Sequence, residues 1–195
     1  EMLSGDWSSD VCSSDLMGAE LGVTTSIFPS DENTMSFLKA QGREKDFSPL
    51  SADKNAEYDR TIDIDLSSLI PLAACPSSPD NIKTIKELEG KPISQVIVGS
   101  CTNSSFQDLM LVREMLKGKM IAETVSFAIA PGSRQVIKML SENGALADLV
   151  SSGARILESA CGPCIGQGFS PADGTVSLRT FNRNFAGRTG TKGDA

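Results

Sequence analysis

The sequence predicts an α/β fold with three layers, α/β/α, built on a mainly parallel sheet. Two observations lead to this prediction. Beyond residue 81, short apolar β-branched runs alternate with amphipathic stretches of helical period, and the turns between them are rich in glycine, serine and proline. Parallel strands need crossover connections, so this alternating order favours helices packed on a sheet. Ligands in such folds bind at the carboxyl ends of the strands.

Each element beyond residue 81 follows from its local pattern. Strands are predicted at the apolar β-branched runs, helices at the amphipathic stretches and helix ends at glycine. The predicted elements are a strand at 93–98, a helix at 106–117, a strand at 124–130, a helix at 134–142, a short helix at 146–150 and a strand at 155–158.

The earlier part of the chain is less regular. A helix at 32–41, capped by Ser30 or Asp31, is expected to end at Gly42. The polar stretch that follows, residues 43–60, predicts a surface connection.

A strand and a linker are predicted before the second half begins. Residues 60–66 alternate apolar and polar side chains, as a half-buried strand does. Three prolines within residues 71–79 predict an irregular linker and a domain boundary. Residues 17–80 are therefore predicted to be the end of a preceding α/β domain with its linker, and residues 81–195 a second domain.

The N-terminal stretch differs from the rest in composition. Residues 6–16 are rich in serine and aspartate and have neither helical nor strand period, like a translated sequencing adapter. Residues 1–16 are therefore predicted to be non-native, and the natural sequence is expected to have been cut just before Met17. Cys12 and Trp7 are left out of the site accordingly.

Composition limits the class of protein. Of the 195 residues, 39% are hydrophobic and 22% charged, and no apolar run is long enough to span a membrane. The net charge of -7 makes nucleic acid an unlikely general partner. Five cysteines without a secretory signal argue against a disulfide framework, so we expect a cytoplasmic protein, or one of the mitochondrial matrix if the source is eukaryotic.

The cysteines carry the strongest chemical signal. Cys101 follows the first predicted strand of the second domain, and Cys161 and Cys164 follow the third, so all three could meet at one edge of the sheet. A metal or iron-sulfur site, a redox pair and buried inert thiols remain open from spacing alone. Structural zinc would need a fourth ligand in a chain that has no histidine. Cys75, in the linker, is interpreted as structural.

Four motifs resemble the signatures of the aconitase family. They are Met17-Gly-Ala-Glu-Leu-Gly-Val-Thr-Thr-Ser-Ile-Phe-Pro29, Ile97-Val-Gly-Ser-Cys-Thr-Asn-Ser-Ser105, Ala160-Cys-Gly-Pro-Cys-Ile-Gly-Gln167 and Thr180-Phe-Asn-Arg-Asn-Phe-Ala-Gly-Arg188. The similarity runs from Met17 to the end and implies an aconitase-type cluster domain.

The resemblance also implies a cofactor and its surroundings. It assigns a [4Fe-4S] cluster to Cys101, Cys161 and Cys164, with one iron left open to act as a Lewis acid on citrate, isocitrate or cis-aconitate. Arg183 and Arg188 would bind the substrate carboxylates, and Asn182 would lie beside the cluster. Glu20 matches a catalytic glutamate near the iron-bound water or hydroxyl.

The resemblance suggests a hydro-lyase, part of an aconitate hydratase that interconverts citrate and isocitrate. An isopropylmalate or homocitrate dehydratase of the same family is the alternative, and an RNA-binding regulatory aconitase or a zinc-binding module would be a different class. The N-terminal and C-terminal swivelling domains of the family are not matched, so the chain alone is expected to be inactive.

Overall fold

The computed structural model describes residues 24–190, in which the first helix forms as the sequence predicts. Helix α1 spans Glu32–Ala40. Of the two predicted caps, Asp31 is the one used: its carboxylate accepts hydrogen bonds from the amides of Asn33 at 2.9 Å and Thr34 at 3.1 Å. Gly42, with a φ of 69°, follows the helix end as expected.

A hairpin replaces much of the predicted linker. Strand β1, Leu72–Ala74, pairs antiparallel with strand β2, Ile82–Thr84, and the short helix α2, Ile85–Leu88, follows directly. Pro76 and Pro79 lie in the connection between the two strands, so the irregular linker is confined to the hairpin turn.

The strand predicted at 60–66 is wrong. Its only regular structure is part of a 3-10 turn at Leu66–Ser68, and Ile62, Ile64 and Leu66 are 67%, 66% and 77% exposed. Alternation indicates a strand only where a neighbouring strand can satisfy the backbone, and none of the described residues pairs with this segment.

The second half forms the parallel α/β sheet that the sequence predicts. Its strands lie in the order β5-β4-β3-β6, and each neighbouring pair is parallel. The elements are β3 Gln95–Gly99, α3 Phe106–Leu116, β4 Ser126–Ala130, α4 Arg134–Glu142, α5 Ala145–Ser151, β5 Arg155–Ile156 and β6 Ser177–Arg179. Strand β6 was not predicted.

The three helices pack on one face of the sheet. Phe127 and Ile129 of β4 join Leu109, Leu140 and Leu149, one from each helix, in a single apolar core. Side chains alternate along a strand, so Ala128 lies on the opposite face. None of the helices within residues 24–190 is long and apolar enough to cross a membrane.

Strand β6 determines where a site can form. The chain runs from β3 to β4 and β5 on one side, then returns to place β6 on the other side of β3. The connections therefore diverge between β3 and β6, which is the point of a parallel sheet where ligands bind. The carboxyl ends of these two strands lead into residues 100–105 and 180–190.

Candidate functional site

A cavity of about 70 Å³ lies at the carboxyl ends of β3 and β6. All six of the predicted site residues that the structure describes line it. The lining consists of Ser100, Cys101, Cys161, Cys164, Phe181, Asn182, Arg183 and Arg188. Glu20, the predicted catalytic residue, lies outside the described residues. The structure thus brings together thiols that are about sixty residues apart in the sequence.

Cys101 is placed by a tight turn at the end of β3. Gly99 has a φ of 153°, and a side chain there would overlap the Ala130 carbonyl on β4. Ser100 has a φ of 86°, a conformation that is strained for a residue with a side chain. Its amide donates to the Ala130 carbonyl at 3.2 Å. This contact holds the turn and leaves Cys101 exposed at the cavity.

Hydroxyl groups connect the two loops of the cavity. The Ser100 and Thr102 hydroxyls lie 2.8 Å apart, and Thr102 Oγ1 donates to Asn182 Oδ1 at 3.3 Å. Asn103 donates from its side-chain amide to the Thr180 carbonyl. The bonds of Thr102 and Asn103 therefore join the β3 loop to the β6 loop.

The Cys161–Cys164 segment is a loop, as the glycines and proline around it predict. A 3-10 turn covers Pro163–Ile165, so the pair does not begin an α-helix as redox pairs usually do. Gly166 has a φ of 78°, and a Cβ there would overlap the Thr189 carbonyl. Glycine therefore allows the cysteine loop to lie against the segment that carries Arg188.

Burial and the neighbouring charges both act on Cys164. Burial raises the pKa of this thiol, and the neighbouring Cys161 and Cys101 raise it further, whereas Arg188 and Arg179 oppose the shift. The three thiols are therefore near enough to influence one another. All three are free cysteines.

The donor set suits an iron-sulfur cluster better than a single ion. Within residues 24–190, no three cysteine or acidic side chains converge tightly enough to hold one metal ion. A cluster does not require such convergence, because each thiolate binds a different iron. Asn182 Nδ2 and Arg188 Nε are buried donors without a hydrogen-bond partner among the described atoms. Such donors call for an acceptor, and an anionic sulfur cluster would supply one.

The loop that carries the arginines is fixed to the hairpin. Asn184 Nδ2 donates to the Cys75 carbonyl at 2.8 Å and approaches the Ser78 carbonyl at 3.4 Å. Phe185 forms an isolated parallel bridge with Ser77. The Cys75 contact uses the backbone carbonyl, and the structural role of this cysteine stays a prediction. Asn184 lies in the fourth motif but was not predicted as an anchor, because its role depends on contact with the distant hairpin.

A larger groove of about 670 Å³ adjoins the cavity between the hairpin and β6. It shares Asn182 and Arg183 with the smaller cavity, and its walls include Leu72, Leu178 and Phe185, which are about half exposed. An organic molecule larger than the cavity could therefore reach Arg183 from this side.

Comparisons with known proteins agree with the sequence motifs. The model of the aconitase family (aconitate hydratase) matches residues 11–195. This match begins inside the stretch 1–16, whose non-native origin stays a prediction.

The curated relatives carry a more specific name. The 3-isopropylmalate dehydratase large subunit 2 of Archaeoglobus fulgidus is 43% identical over 176 residues, 89% of this chain and 42% of the relative. The large subunit from Elusimicrobium minutum is 41% identical over 91% of this chain and 43% of the relative. Large subunit 1 of Thermotoga maritima is 39% identical over 89% and 42%. The chain thus spans less than half the length of these relatives.

Proposed function

This chain belongs to the aconitase family, and from that premise we propose that it is the cluster-binding part of the large subunit of a 3-isopropylmalate dehydratase. The proposal is supported by the names of three relatives from distant organisms, each about 40% identical to this chain. The activity belongs to the whole protein, of which the chain is one part.

The substrate in this proposal differs from the one that the motifs suggested. The resemblance of the motifs suggests aconitate hydratase itself. The relatives favour the alternative, an isopropylmalate dehydratase. The cavity motifs would surround the cluster proposed for this family, so they indicate the type of chemistry better than the substrate.

The observation that carries the proposal is the cavity lined by three free thiols and by two buried donors that have no partner in the described part of the chain. Cys101, Cys161 and Cys164 would hold the [4Fe-4S] cluster. Three protein ligands leave one iron open, and that iron would supply Lewis-acid chemistry toward a hydroxyl group. Zinc would need a fourth ligand and closer thiols, so a zinc-binding module fits these residues poorly.

The other lining residues would bind and orient the substrate. 3-Isopropylmalate has two carboxylates, and a planar guanidinium can bind a carboxylate through two hydrogen bonds. Arg183 and Arg188, on the loop after β6, are the proposed carboxylate ligands. Asn182, held at its oxygen by Thr102, would keep its Nδ2 directed toward the cluster. Glu20 is retained as the proposed catalytic carboxylate.

A smaller subunit is the proposed partner, since the relatives are named as large subunits. The remaining domains of the large subunit and this partner would complete the active site around the cavity. Regulation through RNA binding receives no support from the chain, whose net charge is -7.

The test uses the two-subunit protein that contains this chain, purified without oxygen. We expect dehydration of 3-isopropylmalate, detected as the ultraviolet absorbance of the unsaturated product, and much slower conversion of citrate. Arg188→Lys should lower kcat/KM by about a hundredfold, because lysine cannot make the paired hydrogen bonds through which a guanidinium binds a carboxylate. Equal or faster turnover of citrate would overturn the substrate assignment.

A further inference from the structure

Arg179 is the last residue of β6, and its side chain reaches into the cysteine loop. Its guanidinium makes three hydrogen bonds: Nε donates to Ser177 Oγ at 3.0 Å, Nη1 to the Pro163 carbonyl at 2.9 Å and Nη2 to Gln95 Oε1 at 3.1 Å. Pro163 lies between the two cysteines of the pair. The guanidinium therefore connects the middle of the cysteine loop to the two strands at the site.

Gln95 holds the other end of the same loop. This residue is buried at the start of β3, and its Nε2 donates to the Phe169 carbonyl at 3.3 Å. Its Oε1 accepts from Ser177 Oγ at 2.6 Å as well as from Arg179. The loop at 163–169 is thus attached at each end to a polar group that spans β3 and β6.

The charge of Arg179 has no carboxylate to balance it within residues 24–190. Its guanidinium is absent from the ion pairs of this part of the chain. Burial lowers the pKa of Arg179 to about 10, and the nearby Cys164 opposes this shift. Burying a cation is costly unless an anion lies near it. The site is where such an anion would be.

We propose that Arg179 is a positioning residue for the cysteine pair, which holds the Cys161–Cys164 loop on the sheet and places a positive charge behind it. The inference rests on the proposed function only for the identity of the bound group. The hydrogen bonds concern the chain itself and can be tested without iron.

The first experiment measures amide hydrogen exchange in the iron-free chain. The informative amides are those of Gly166 and Gln167, which donate to the Pro163 and Gly162 carbonyls at 3.3 and 2.8 Å. In Arg179→Met they should exchange about tenfold faster, since a charged hydrogen bond contributes at least that factor. Arg179→Lys keeps the positive charge but loses the planar guanidinium with its several donors. The same two amides should therefore also exchange faster in this variant.

Arg155→Met is the matched control. Arg155 lies 5.5 Å from the ring centroid of Phe169, and Arg179 lies 5.5 Å from that of Phe181, so both changes remove a similar ring contact. Of these two arginines, only Arg179 donates to the Pro163 carbonyl. Exchange at Gly166 and Gln167 should stay within about twofold of the parent in the control.

The second experiment separates charge from packing. After reconstitution with iron and sulfide, the midpoint potential of the cluster should fall in Arg179→Met, because a lost cation makes electron uptake harder. Arg179→Lys should remain near the parent value. A purely structural role would alter exchange and leave the potential where it was.

The outcomes decide between two failures. If no cluster forms in the parent chain, the proposed function is refuted. The exchange rates of Gly166 and Gln167 still test whether Arg179 holds the cysteine loop. If Arg179→Met exchanges like the parent, the positioning role is refuted. If Arg179→Met does not fold, as circular dichroism would show, Arg179→Lys provides the test, and parent-like exchange in that variant refutes the role equally.

Discussion

Thr102 and Asn182, which are 80 residues apart in the chain, share a hydrogen bond of 3.3 Å from the threonine hydroxyl to the asparagine oxygen. The bond joins the loop after β3 to the loop after β6 across the candidate site. It occupies the acceptor of Asn182 and leaves the buried Nδ2 as a donor without a partner among residues 24–190. A buried donor without a hydrogen-bond acceptor destabilises the folded state unless the site normally contains an acceptor.

This bond predicts that Thr102→Val weakens retention of a reconstituted cluster. The variant leaves Asn182 free to rotate, so a chelator should remove iron about five- to tenfold faster than from the parent, a change equivalent to one hydrogen bond. Thr102→Ser keeps the hydroxyl and should retain iron like the parent. Equal rates of iron loss in all three proteins would show that Asn182 does not depend on Thr102.

Gly166 should be the more sensitive of two similar glycines. Gly166 and Gly168 both have a φ of 78°, but a Cβ at Gly166 would overlap the Thr189 carbonyl, whereas nothing lies within 4 Å of one at Gly168. Gly168→Ala should cost about 1 kcal/mol through its backbone conformation alone.

Gly166→Ala should lower the free energy of unfolding, measured with urea, by about 2–3 kcal/mol more than Gly168→Ala does. The cysteine loop must also move away from Thr189 in this variant. Comparing the two variants removes the cost of the backbone conformation, which they share. Similar losses in both variants would show that the contact between the two loops is not needed.

The iron-free chain should lose stability at alkaline pH through Cys164. Because the pKa of Cys164 is raised by burial, the folded state retains the thiol proton more strongly than the unfolded state does. The stabilisation is complete below the ordinary thiol pKa of about 8.5 and is lost as the pH rises through the higher folded value.

Cys164→Ala should remove this part of the pH dependence. The free energy of unfolding of parent and variant, measured from pH 7 to 10, gives the comparison. Cys75→Ala is the control, since it lies away from the cavity. An identical slope in the parent and in Cys164→Ala would contradict the raised pKa.

The helical layer provides a prediction about the fold. Leu140 of α4 is fully buried against β4, whereas Leu111 of α3 is 58% exposed. Leu140→Ala should lower the free energy of unfolding by about 2–5 kcal/mol, and Leu111→Ala by less than about 1. Urea titrations monitored by circular dichroism would test this difference. Comparable losses would mean that α4 does not pack as described.

Sequence patterns correctly predicted the helices and strands whose bounds are set by local residues, such as caps and turn residues. Helix α4 matches its predicted bounds because Ser133 caps it and Asn143-Gly144 end it. The sequence predicted that the three cysteines of the site could meet, because the carboxyl ends of parallel strands lie at the same edge of a sheet. Residues 60–66 failed as a strand because alternation does not supply a partner.

The missed residues depend on contacts distant in sequence. Strand β6 is Ser-Leu-Arg, with no apolar run, and forms only by pairing with β3. Local sequence gives no reason to place Arg179, Gln95 or Asn184 against the cysteine loop or the hairpin. Their importance comes from burial against the cysteine loop and the hairpin, which local patterns do not reveal.

The measurement that tests the central claim most directly is anaerobic reconstitution of the chain with iron and sulfide, followed by iron and sulfide counts and visible absorption. The account predicts about four of each per chain, lost in Cys161→Ser and retained in Cys75→Ser. A chain that binds no iron, or that binds it equally well in Cys161→Ser, would contradict the assignment of the cluster to Cys101, Cys161 and Cys164.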